Sequence, residues 1–187
     1  TENTHSLSRI HSSEERFHHH HHIHHDGGDE NEAPKTRDIN LDKKPQRVRD
    51  SIKGTVVKAN GLPKTDNDGS DTYVVLTVIP LSGKGKNADK VKTEIQHNTQ
   101  DPVWDKDFEF PFANTNDSLR CEIYQHHKIL GDKLIACCEV VLKDLKDNQP
   151  IVQALPLIKP AKAPRVVKNV KDFGTITLSL THNIQYE

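Results

Sequence analysis

Residues 98–112 read Asn-Thr-Gln-Asp-Pro-Val-Trp-Asp-Lys-Asp-Phe-Glu-Phe-Pro-Phe. Asp101-Pro102 marks a turn, because proline fixes φ and has no N–H to lend to a sheet ladder. Beyond it, Phe108, Phe110 and Phe112 fall on one side of an extended chain while Asp107 and Glu109 fall on the other. A period of two predicts a strand with one face in an apolar core and the other in water. Trp104 stands between the turn and this alternation. The segment therefore reads as a proline turn that drops a large aromatic into a packed interior, followed by a hairpin return. Trp104 is core on this reading, and its indole N–H needs a partner if it is buried.

The same alternation recurs along the chain. Leu119, Cys121 and Ile123 oppose Arg120 and Glu122, and Ile176, Leu178 and Leu180 oppose Thr175, Thr177, Ser179 and Thr181. Residues 73–79 are apolar on both faces, as in a central strand. Turn signals separate the runs, among them Asp68-Gly69, Ser82-Gly83 and Gly131-Asp132. Strands are predicted near 52–59, 72–80, 90–96, 104–112, 118–126, 133–142, 152–158 and 174–183. Only 142–148 offers a short helical turn. Many short strands with frequent turns give an all-β, antiparallel sandwich.

Composition divides the chain near residue 50. Overall 33% of residues are apolar and 28% charged, which is lean for a chain packed throughout. The shortage lies in residues 1–50, where aliphatic side chains are scarce and nine of the thirteen histidines sit. Such a segment cannot offset a backbone ordering cost of roughly 1–2 kcal/mol per residue. Residues 1–50 are predicted to be a disordered, histidine-rich tail and 51–187 the folded domain. The domain carries eighteen Lys/Arg against seventeen Asp/Glu, so no net field calls for nucleic acid. No apolar run approaches the roughly 20 residues of a membrane span. The start has no secretory h-region, and the absence of Met reads as a processed or truncated chain. Cys121, Cys137 and Cys138 lie in strand-like segments and read as reduced core thiols of a cytoplasmic protein.

Three segments in order resemble the C2 domain family. The first is Gly61-Leu62-Pro63, an acidic loop, and Ser70-Asp71-Thr72-Tyr73-Val74, with Thr72 where the family usually has proline. The second is Lys92-Thr93 followed by the 98–104 turn and the strand ending at Phe110. The third is Ile123-Tyr124-Gln125, a loop, and Leu134-Ile135-Ala136, where glycine is common. The closing strand also matches, so the resemblance covers about residues 51–183. It implies an eight-stranded antiparallel Greek-key C2-type β-sandwich.

In that family, loops at one end of the sandwich gather about five carboxylates around calcium, an ion that takes about six to eight oxygens. The first loop keeps Asp71 and either Asp66 or Asp68, since it is one residue short of the usual spacing. The third loop departs from the pattern. The family's aspartate positions fall on Gln125, His127 and Lys133. An imidazole suits softer metals and an ammonium repels the ion. Asp132 can substitute only if the loop shifts by one residue. The resemblance thus implies a remnant calcium loop (Asp66, Asp68, Asp71), calcium dependence lost, and no cofactor.

Many C2 domains bind acidic lipid without calcium through lysines. The candidates are Lys84, Lys86, Lys90 and Lys92, with Lys128 and Lys133 in the third loop and Ile129-Leu130 as an inserting tip. Lysines near an anionic surface contribute on the order of 1 kcal/mol each. The expected partner is an anionic phospholipid membrane surface, with a peripheral cytoplasmic location. The alternative is a protein-interaction or scaffold role, for which the basic segment 159–172 is a candidate docking loop. His18, His19, His20, His21, His22, His24 and His25 form an imidazole run able to bind metal ions without fixed geometry. Its interruption by Ile23 favours a natural tract over a purification tag. No phosphate loop and no nucleophile motif appears, so the chain does not read as an enzyme.

Overall fold

The computed structural model describes residues 46–66, 69–83 and 89–186. The histidine run, the rest of the tail to residue 45, Asp68, Lys84 and Lys86 lie outside the described residues. Among the described residues eight strands form: β1 (Arg47–Asn60), β2 (Thr72–Ile79), β3 (Lys90–Lys92), β4 (Val103–Pro111), β5 (Ser118–Gln125), β6 (Lys133–Val141), β7 (Ile151–Pro156) and β8 (Thr175–Tyr186). They make two antiparallel four-stranded sheets, ordered β4-β1-β8-β7 and β3-β2-β5-β6. The chain changes sheet between β1 and β2, β3 and β4, β4 and β5, and β6 and β7. The first and last strands lie side by side, Ile52 opposite His182 and Val56 opposite Leu178. β1 takes in 47–50, so the sheet begins a few residues before the expected boundary at 51.

The alternation places the core as expected. Ile52, Val56, Phe110, Leu178 and Leu180 from one sheet meet Leu76, Leu119 and Ile123 from the other, and all are buried. Burying a side chain of this size contributes about 1.5–3 kcal/mol. Trp104 packs half-buried against this core, and its indole N–H donates to the Thr72 carbonyl at 3.2 Å. β2 lies between β3 and β5, and Tyr73, Val74, Leu76 and Thr77 along it are buried.

Three expectations need correction. Phe112 does not join Phe108 and Phe110: β4 ends at Pro111, Phe112 takes φ 69°, and its ring is 76% exposed. The Arg49 guanidinium lies over that ring, 5.9 Å from its centre. Residues 142–148 form a turn with Leu142 and Leu145 buried, and the helical turn is instead a 3-10 segment at Arg165–Val167. Segment 159–172, the candidate docking loop, is anchored at points along its length, while Lys162, Arg165, Lys168 and Lys171 stay exposed. Val167 within it and Phe173 just after it are buried in the core, and Lys159 Nζ donates to the Lys168 carbonyl at 2.6 Å. The three thiols also differ, since neighbours on a strand point to opposite faces. Cys121 and Cys138 face each other in the core, while Cys137 is half-buried on the outer face.

β3 is shorter than the predicted 90–96 because Thr93 interrupts the ladder. Its hydroxyl takes the Val74 N–H at 2.9 Å, and pairing resumes where Thr72 and Gln96 exchange two bonds of 2.9 Å. The outer edge of β6 is covered in the same way. Cys137 and Ile158 exchange bonds of 3.1 and 2.8 Å, which leaves less open edge for another strand.

Candidate functional site

Three connections meet at the end of the sandwich where β1 finishes and β2 begins, and Asp71 joins them. Its carboxylate accepts from the Asn98 N–H at 2.8 Å and lies 3.5 Å from His97 Nδ1. Its own N–H donates to Gln125 Oε1 at 3.0 Å, and its carbonyl accepts from the His126 N–H at 2.8 Å. Asp66 forms a tight turn with Gly69, exchanging backbone bonds of 3.1 and 3.4 Å.

The β5–β6 loop is anchored by Asp132. One carboxylate oxygen accepts from the Tyr73 hydroxyl at 2.5 Å. The other contacts His126 Nδ1 at 2.9 Å and accepts the His127 N–H at 3.2 Å. The Tyr73 hydroxyl, itself raised in pKa mainly by burial and then by Asp132, holds the Asp132 carboxyl below the usual carboxylate range; the His127 N–H and His126 add to this. Gln125 Oε1, Asp71 and Asp132 are therefore engaged by protein donors, and the exposed Lys133 pairs with Gln125 along the β5–β6 ladder. Among the described residues no three His, Cys, Asp or Glu side chains converge as metal ligands. Asp132, which a shift of the loop by one residue would bring to a ligand position, is hydrogen-bonded here to Tyr73.

Beyond these anchors the loop projects outward. Ile129 is 87% and Leu130 70% exposed, and Lys128 and Lys133 flank them, also exposed. On β3 the exposed Lys90 and Lys92 project to the same side, with Val91 turned the other way. Lys92 Nζ sits 4.4 Å from the centre of the Tyr73 ring, a cation–π contact. Tyr73 in turn stacks on Tyr124, centroids 5.5 Å apart. Tyr73 thus links the two lysine groups, with Lys92 on its ring face and Asp132, the neighbour of Lys133, on its hydroxyl. The same outer face carries the Arg120–Glu139 ion pair at 3.9 Å, so it is basic only at its β3 margin.

The Tyr73–Asp132 bond joins residues 59 apart in sequence and has no local signature.

The C2 domain profile matches residues 51–157. The chain is 34% identical over 94 residues to Synaptotagmin-4 of Arabidopsis thaliana, a match covering 49% of this chain and 16% of that protein. It thus spans about a sixth of the length of that curated relative. Among solved structures it is similar to a C2 domain of plant Extended Synaptotagmin 1, with a TM-score of 0.62 at 20% identity, covering 78% of this chain and 100% of that one. It is also similar to human GIVD cytosolic phospholipase A2, with a TM-score of 0.56 at 16% identity, covering 76% of this chain and 17% of the enzyme. At these identities the structural likeness speaks for the fold alone.

Proposed function

The chain belongs to the C2 domain family, and on that footing we propose that it is a non-enzymatic module docking on anionic phospholipid membrane without calcium. The observation that carries this reading is the β5–β6 tip. Two adjacent aliphatic side chains, Ile129 and Leu130, stand in solvent between Lys128 and Lys133. An apolar point ringed by ammonium groups complements an interface that is negative at its surface and apolar beneath it. Lys90 and Lys92 extend the basic margin, and Lys84 and Lys86 are proposed to continue it. Calcium is not required on this reading, because protein donors hold Asp71 and Asp132, and Asp66, Asp68 and Asp71 serve as turn residues. Residues 51–187, with the strand residues 47–50 that lead into them, form the module, and the rest of 1–50 a low-complexity tail. The location proposed is cytoplasmic and peripheral to membrane.

The test is vesicle co-sedimentation of the full chain carrying Lys90→Glu, Lys92→Glu, Lys128→Glu and Lys133→Glu together. At on the order of 1 kcal/mol per lysine, binding to phosphatidylserine vesicles falls by about a thousandfold. Unchanged binding rules out the lysine surface. If the unaltered chain binds no vesicle and instead co-purifies with one partner through high salt, the module is a protein scaffold.

A further inference from the structure

The exposed tip is held by a side chain within its own turn. His127 Nδ1 lies 2.9 Å from the Leu130 N–H and 3.2 Å from the Ile129 N–H, and both amides donate to it. A ring nitrogen that accepts carries no proton, so the ring's N–H is on Nε2. Placed two and three residues ahead of these amides, the imidazole does what an Asp or Asn oxygen does in a side-chain-capped turn. His127 is itself fixed at its main chain, where its N–H donates to Asp132 at 3.2 Å. Gly131, at φ 84°, turns the chain back from the tip to Asp132.

We infer that His127 is a positioning residue: its Nδ1 caps the 127–130 turn and fixes how Ile129 and Leu130 face outward, with no metal ion in the loop. The sequence position makes this informative, because the C2 pattern has an aspartate there and this chain uses the position to cap its own backbone. The direction in which the tip faces is then set by folding. The use of the tip for membrane contact rests on the proposed function, while the cap itself does not.

Two variants of the full chain separate a cap from a mere space-filler. His127→Asn keeps an acceptor at similar reach, and His127→Ala removes it. In His127→Ala, hydrogen exchange at the Ile129 and Leu130 amides quickens by roughly fivefold, as expected for losing a hydrogen bond of ordinary net strength. His127→Asn restores the slower exchange. In the unaltered chain at pH 7.5, the imidazole nitrogen shifts show Nδ1 bare and Nε2 protonated. A protonated Nδ1, or equal exchange in the Ala and unaltered chains, overturns the cap; so does failure of Asn to rescue. Exchange is measured without lipid and vesicle binding separately. A restored cap with no vesicle binding in any variant keeps the inference and removes the membrane reading.

Discussion

Replacing Ile129 and Leu130 together by serine removes the apolar part of the proposed contact and leaves every lysine in place. The side chains are 87% and 70% exposed in the free protein, so nearly all of their surface is available to be taken from water. Full burial of such a side chain is worth about 1.5–3 kcal/mol. Scaled by those exposures, complete insertion of both gives about 2.4–4.7 kcal/mol, or roughly 50- to 3000-fold in affinity. Insertion only to the headgroup boundary gives the lower figure. Stability is unaffected to within about 0.5 kcal/mol, because neither residue packs on the core. The assay is co-sedimentation with phosphatidylserine vesicles across a range of salt. The serine pair lowers affinity by the same factor at every salt concentration, whereas lysine replacement flattens the salt dependence. Serine variants that bind as tightly as the parent would refute the insertion of the tip. A loss that disappears at low salt would mean the tip acts through charge alone.

Two further outcomes follow from the packing and the electrostatics. A Cβ added at Gly54 would lie 1.7 Å from the Ser179 carbonyl oxygen, so Gly54→Ala forces β1 and β8 apart; the expected loss is ~3 kcal/mol or more, read as a lower urea midpoint. The Asp132 carboxyl has its folded pKa lowered, chiefly by Tyr73, so its contribution is complete above the ordinary carboxylate range near ~4 and is lost as pH falls through the lower folded value. The Asp132 carboxyl carbon signal therefore moves only below the ordinary carboxylate range, and Tyr73→Phe brings that step back up towards it.

The strands were legible because a half-buried strand writes its two faces directly into alternate residues. That signal fails where the backbone leaves the strand. Phe112 continues the alternation of Phe108 and Phe110, yet Pro111 ends β4 and a positive φ turns Phe112 outward to Arg49. It fails again at Thr93, where a hydroxyl takes a ladder bond that any strand residue is assumed to leave to the backbone. The lysines and the Ile129-Leu130 tip are named from the resemblance to C2 domains and from their place in its loops. Their arrangement cannot be, since it depends on Tyr73, which links Lys92 to Asp132 across the fold. The resemblance marks His127 as a vacated ligand position. Its capping role depends on the ring rotating back onto its own loop, which residue spacing does not specify.

The central claim is docking on anionic membrane without calcium. Co-sedimentation of the full chain with phosphatidylserine and phosphoinositide vesicles, in calcium and in chelator, at low and physiological salt, tests it most directly. The predicted result is binding that is the same in calcium and chelator and weakens as salt rises. Binding that requires calcium would contradict it, and would mean that Asp71 and Asp132 exchange their protein partners for the ion.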